Sequence, residues 1–269
     1  MVSVNFLVNN FKVIREHRYI LIQLIKKDLQ NRYVGSFLGL FWAFFPPLVN
    51  IGVFWFIFEV GFKSVPVNNY PFILWLLTGM IPWFFISDSI SYSSTSILDN
   101  KFLVKNVVFK LNILPFVRIC SSLIIHLFFV LVLLLFFSFY GYKPKIYNLQ
   151  VIYYILCTIT LVYGISLITS SLIIFVKDLG QFLALILQIA FWITPIFWSL
   201  NLLPSKYHLL IKLNPFYYVV EGYRNSFIYN AWFWQYPRQT LFFWGVTFFT
   251  IGLGTYLYRK LRPHFADVI

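Results

Sequence analysis

Residues 119–140 read ICSSLIIHLFFVLVLLLFFSFY, a run without a single Lys, Arg, Asp or Glu, with His126 as its only basic group. A helix of this length, at ~1.5 Å per residue, crosses the ~30 Å hydrocarbon layer of a bilayer. The rest of the chain repeats the pattern. Charge-poor runs at about 37–62, 71–95, 115–140, 149–176, 181–200 and 239–258 predict six transmembrane helices in one all-α domain, residues 1–269.

Composition supports lipid as the solvent. The 269 residues are 60% hydrophobic and 11% charged, against roughly 45–50% apolar and about a quarter charged for soluble domains. A soluble fold of this size would leave large apolar patches in water. The net charge of +13 does not indicate nucleic acid, because the basic residues flank the apolar runs, where topology and anionic headgroups account for them. Cys120 and Cys157 lie inside apolar runs and read as small packing residues.

Residues 5–33 read as an amphipathic helix, broken in two, that lies in the membrane interface. Phe6, Leu7, Phe11 and Ile14 form a stripe continued by Leu21, Ile22, Ile25 and Leu29, with Lys26, Lys27, Asp28 and Arg32 opposite. The basic residues scattered through 1–36 do not make the pattern of a cleavable signal peptide. Placing both termini in the cytoplasm puts fourteen of the 21 Lys and Arg inside, which the positive-inside rule favours.

Residues 201–238 are too apolar for a simple outer loop, and Pro204, Pro215 and Pro237 interrupt them too often for a span. Two short helices that dip in from the outside fit, with Glu221 and Arg224 three apart on one face. Irregular backbone at that depth needs protein or a water-filled cavity around it, which points to a pore mouth.

Several enzymatic chemistries are missing from the sequence. The phosphate-cradling loop G-x-x-x-x-G-K-[ST] does not occur; Gly61-Phe62-Lys63-Ser64 lacks the second glycine. There is no G-x-S-x-G elbow, no obvious carboxylate pair and no His/Cys cluster with metal spacing. His126 lies near mid-depth of the third run. It reads either as a proton-relay or substrate contact, or as a neutral ring bonded to a neighbouring helix, and the second is preferred. Asp88 and Glu59 sit near span ends and can face headgroups.

The aromatic load is the larger signal, with 33 Phe, 18 Tyr and 9 Trp. Interfacial belts and packing account for each ring taken singly. Together they suit a corridor for sugars, because flat rings stack on sugar faces and tyrosine hydroxyls supply hydrogen bonds. Trp42, Phe45, Tyr92, Tyr153, Tyr163 and Trp192 are the candidate pore residues.

Residues 31–42, Asn31-Arg32-Tyr33-Val34-Gly35-Ser36-Phe37-Leu38-Gly39-Leu40-Phe41-Trp42, with Pro46-Pro47-Leu48 after them, resemble the start of the first span in membrane subunits of ATP-binding-cassette polysaccharide exporters. Gly79-Met80-Ile81-Pro82-Trp83, Lys105-Asn106-Val107-Val108-Phe109, Leu114-Pro115, Asp178-Leu179-Gly180-Gln181 and Thr194-Pro195-Ile196 follow in the family's order, and the ending Arg262-Pro263-His264-Phe265-Ala266-Asp267-Val268-Ile269 is also similar. The resemblance thus covers nearly the whole chain.

The resemblance implies a homodimer of six-helix subunits in the bacterial cytoplasmic membrane, with two separate ATPase chains docked below. Its cargo would be an undecaprenyl-linked polysaccharide such as O-antigen, teichoic acid or capsule. No cofactor would bind this chain, since ATP and magnesium belong to the ATPases. Residues 98–112 would form the coupling helix, presenting Lys101, Lys105, Asn106, Val107, Phe109 and Lys110 to the ATPase. The N-terminal helix would brace it. Residues 201–238 would be gate helices at the outer mouth, with Tyr217, Tyr218, Glu221 and Arg224 as gate residues. Two other readings compete: a permease for drugs or small lipids, and a membrane glycan ligase drawing its chemistry from His126, Asp88 or Arg224.

Overall fold

The computed structural model describes residues 18–32, 38–104 and 111–268. Among these residues the fold is helical, with one isolated bridge, Val67 to Tyr70, in place of any strand. Helix α1 is Arg18–Arg32. A 3₁₀ turn, Gly39–Ala43, leads into α2, Phe45–Trp55, which runs on as a π-helical segment, Phe56–Gly61. Pro46 and Pro47 occupy the first turn of α2, where no intrahelical bond needs their missing N–H groups. The two prolines therefore follow a break in the helix at Phe44 and do not kink its interior.

A turn at Asn68 and Asn69, both at positive φ, reverses the chain. Helix α3, Phe72–Ser94, then crosses the middle of the molecule. It is buried on nearly every side, as expected of a helix apolar all round. Two short pieces follow, α4 (Ser96–Asp99) and α5 (Lys101–Val104). Helices α6 (Ile113–Phe139) and α7 (Val151–Leu172) pack on α3. Buried serines let α3 and α7 approach closely enough for the Ser93 and Ser166 hydroxyls to bond at 2.5 Å.

Helix α8, Leu179–Ile193, is shorter than the run 181–200 predicted. The cause is local: Thr194 precedes Pro195, and the proline ring drives it out of helical conformation to ψ 129°. Two helices then stand where the sequence predicts them, α9 (His208–Lys212) and α10 (Pro215–Arg224). Asn214 caps α10 by accepting from the Phe216 N–H at 2.9 Å, and Pro215 fills the first turn. The Asn214 amide also donates to Thr194 Oγ1 at 2.8 Å, tying α10 to the end of α8. A π-helical segment, Asn225–Tyr229, extends α10 until Asn230 stops it in the left-handed region. Helix α11, Pro237–Leu261, returns along α7, and α12 (Phe265–Val268) closes the described chain.

Four segments, Phe72–Ser94, Ile113–Phe139, Ile146–Leu172 and Pro237–Val268, are long and apolar enough to cross a membrane. Two shorter apolar helices, Phe45–Gly61 and Leu179–Ile193, lie where the first and fifth spans are predicted. Exposed rows such as Leu131, Leu135 and Phe139 on α6 need lipid or protein to cover them.

The two ends of the bundle are built differently. At one, Ile97, Leu111, Leu114, Ile174, Tyr258 and Phe265 form a small separate core. It joins the C-terminal ends of α3, α7 and α11 to the start of α6. At the other, Gln150 reaches the Ala231 carbonyl and the Phe233 N–H, locking the start of α7 to the chain after α10.

Candidate functional site

Two charged knots sit near opposite ends of α3. The first gathers Asp28 and Arg32 of α1, Asp88 of α3, Asp99 of α4, and Arg118 with Ser122 of α6. Arg118 bonds Asp28 at 2.8 Å and Asp99 at 3.2 Å. Arg32 pairs with Asp28 at 3.6 Å and Asp88 at 3.3 Å, and donates to the Ser122 hydroxyl and the Arg118 carbonyl. Its guanidinium lies 3.8 Å over the Tyr92 ring. Side-chain exposure is 1% for Arg32 and 8% for Asp28, so these charges have given up water and depend on one another.

This corrects the reading of α1. The sequence set Asp28 and Arg32 on the outward face, opposite an apolar stripe. In the fold they point into the bundle together with Leu21, while Ile22 of the supposed stripe is exposed. Hydrophobic spacing missed this because the partners, Asp88, Asp99 and Arg118, are distant in sequence. Arg118, four residues into a predicted span, was the available signal, since a charge so placed needs a partner.

Beside this knot lies a cavity of about 390 Å³, open on one side. The 3₁₀ turn and α2 contribute Trp42, Pro46 and Pro47; α3 contributes Phe84, Asp88 and Tyr92; α6 contributes Ser122, Ile125 and His126. The arrangement follows from helical spacing: Ile81, Phe84, Asp88 and Ser91 share one face of α3, and Ser122, Ile125 and Phe129 one face of α6. The His126 ring is stacked on Phe85 and shares a 2.7 Å hydrogen bond with the Tyr223 hydroxyl. It is thus a histidine bonded to a neighbouring helix, α10.

The second knot is at the α10 end. Arg224, fully buried, donates to the Ile196 carbonyl at 3.0 Å and to Glu221 at 3.3 Å, and stacks 3.6 Å from Trp75. Gly79 gives it room, since a Cβ there would meet the guanidinium at 3.0 Å. Trp75 in turn donates to the Tyr229 hydroxyl. One arginine therefore holds α10, the start of α3 and the segment after α8 together.

The remaining candidates from the sequence are dispersed. Of the six aromatics, Trp42 and Tyr92 share the cavity, and Phe45 lies edge-on to Trp42 at 5.6 Å. Tyr153 stacks on Phe233 at 3.9 Å and bonds Tyr218, in a cluster closed by Thr240 and Trp244. Tyr163 donates to the Asn112 carbonyl, and Trp192 is exposed beside Phe191 and Phe197. Tyr217 and Tyr218 are buried on α10. Lys101 is exposed on α5. Lys105, Asn106, Val107, Phe109 and Lys110 lie outside the described residues. Among the described residues no group of His, Cys, Asp and Glu could hold a metal ion.

Long apolar helices around a buried central one, with the buried charges among the described residues gathered in knots near the bundle ends, define an integral membrane protein of the polytopic α-helical class. Residues 19–228 match the family model described as ABC-2 type transporter, and the chain belongs to that family. It is 28% identical over 253 residues to an O-antigen export system permease protein RfbA of Klebsiella pneumoniae, covering 93% of this chain and 95% of that protein. A second K. pneumoniae protein of the same name is 28% identical over 251 residues, covering 93% and 95%. One from Myxococcus xanthus is 26% identical over 214 residues, covering 79% and 81%.

Proposed function

We propose that this chain is the permease half of an exporter that carries a lipid-linked polysaccharide across the bacterial cytoplasmic membrane, working as a homodimer on two separate ATPase subunits. The observation that carries the reading is the similarity, over almost the full length of both chains, to permeases named for O-antigen export. The family membership sets the class, and the aromatic cavity wall and the absence of a phosphate loop agree with it.

In this reading Phe45–Gly61 and Leu179–Ile193 complete six crossings with the four long helices. The preceding turn Gly39–Ala43 adds length to the first, at ~2 Å per residue. The end that carries α1, α5 and the C-terminal end of α11 is cytoplasmic, with Lys26, Lys27, Lys101, Lys177, Arg259 and Lys260 there. Lys101 and residues 105–110 receive the ATPase, α1 braces them through Arg118 and Asp99, and α9 and α10 form the outer gate. ATP binding would close the ATPase pair and shift the two permease subunits between two arrangements.

Deleting the chain in its host should leave lipid-linked glycan accumulating on the cytoplasmic face, while the surface polymer disappears. Normal surface polymer in the deletion strain would refute the reading. Export of a small amphiphile by the reconstituted complex, with no response to glycolipid, would favour the drug or lipid permease instead.

A further inference from the structure

We propose that the cavity between the start of α2, α3 and α6 is a sugar-binding subsite contained within one subunit, with Asp88 as its principal hydrogen-bond acceptor; this rests on the export reading above. Three features of the cavity carry the inference.

The first is the way Asp88 is held. Both of its donors, the Arg32 guanidinium and the Ser122 hydroxyl, land on the same oxygen, Oδ2. Among the described residues Oδ1 takes no donor, and the side chain, 36% exposed, lines the cavity. A carboxylate fixed by one oxygen presents the other as a pre-oriented acceptor, and such an acceptor binds without the ordering cost of a free side chain.

The second feature is charge. Arg32 is shared between Asp88 and Asp28, has 1% of its side chain exposed, and is also engaged by Ser122 and Tyr92. It has no reach left for a ligand phosphate, so the site does not suit an anion. The knot sets three aspartates against two arginines, but the most exposed of the three, Asp99, lies off the cavity, and Arg32 on the other oxygen of Asp88 lowers what a cation gains there. A neutral ligand rich in hydroxyls matches what remains. Hydrogen bonds to ionised acceptors are the stronger kind.

The third feature is the wall. Trp42 and Tyr92 offer flat faces, and Ser87 and Ser91 add hydroxyls on the Asp88 face of α3. Aromatic faces with a few placed polar groups are the usual make-up of a small-molecule site, and 390 Å³ falls within the ~300–1,000 Å³ typical of one. The diphosphate of a lipid-linked glycan would lie outside this cavity, with a sugar of the chain inside it.

The test uses the full chain with its ATPase in proteoliposomes. Cys120 and Cys157 are replaced by serine and alanine, and Ser91→Cys, exposed at the cavity rim, is labelled with a maleimide. Neutral methyl hexosides should slow labelling by about twofold when their concentration reaches a millimolar Kd. Choline and inorganic pyrophosphate should not. Asp88→Asn and, independently, Trp42→Ala should abolish protection. Asp99→Asn, which touches the same ion network but not the cavity, should keep it. Calorimetric titration of the hexosides into the complex with its native cysteines should show the same order. No protection in the parent, equal protection by choline or pyrophosphate, or equal effects of Asp88→Asn and Asp99→Asn would each overturn the subsite. Glycolipid export is measured in the same vesicles: export without hexoside protection defeats the subsite alone, and absence of glycolipid export defeats the export reading itself.

Discussion

Replacing Gly254 by alanine would place a methyl group 2.8 Å from the Gly164 carbonyl oxygen and 2.9 Å from Leu167 Cβ, where α11 crosses α7. Ordinary contact begins at 3.4 Å, so the helices must part by about half an ångström. Neither neighbour can rotate away, because one is backbone and the other is the first atom of its side chain. Overpacking of this kind costs ~1–3 kcal/mol. Alanine's better helix propensity returns about 1 kcal/mol. Gly252, two residues earlier on the same helix, has nothing within 4 Å of an added Cβ. There the propensity gain stands alone, so the two substitutions should differ by ~1–3 kcal/mol. In detergent, thermal unfolding of a chain this size moves by roughly 2–4 °C per kcal/mol, and Gly254→Ala should melt several degrees below Gly252→Ala. Gly164→Ala should resemble Gly254→Ala, since its Cβ would lie 2.7 Å from Thr250 Oγ1 and 2.9 Å from the Ile251 amide nitrogen. The double variant should lose less than the sum, because the helices have already parted. Gly252→Ala and Gly254→Ala melting within about a degree of each other would show that small-residue packing does not hold this crossing.

Arg32→Ala strips the buried Asp28 of one partner and leaves Asp88 with Ser122 alone; a loss of ~3–5 kcal/mol is expected by the same melting assay, against ~0–1 kcal/mol for Asp99→Asn at the exposed edge of the network. Arg32→Lys should recover only part of that loss, because an ammonium cannot reproduce the guanidinium fork. Arg224→Met leaves the buried Ile196 carbonyl without its donor and removes the stack on Trp75. It should cost ~1–3 kcal/mol for the orphaned carbonyl alone, and a cysteine introduced at Phe197 should become more accessible to a thiol reagent. Replacing Lys105 and Lys110 should leave membrane insertion intact while cargo no longer stimulates the partner's ATPase; unchanged stimulation would remove the coupling role from this loop.

Periodicity and charge were enough to read α3, α6, α7 and α11 to within a few residues, because a helix in lipid must satisfy its own backbone and show apolar side chains for the whole crossing. The positions of α9 and α10 were also legible, since prolines bracket an apolar stretch too short to span. The end of α8 was written at Thr194-Pro195 and was missed because the apolar run continues past it. Pairwise geometry was not legible: the aromatics Tyr153 and Tyr163, alike in sequence, sit in separate clusters away from Trp42 and Tyr92.

What the sequence determined alone is the solvent and the class: the length and emptiness of its runs leave lipid as the only medium, and a bilayer admits few backbone solutions. What tertiary structure decided is which of its few charges meet. Asp28 and Arg118 are 2.8 Å apart although ninety residues of chain separate them, and Asp88 becomes a cavity wall only because α1 and α6 bring Arg32 and Ser122 to one of its oxygens. Burial forces each charge to find a partner, but the partner's identity depends on how the helices cross, and that is settled by packing rather than by spacing along the chain.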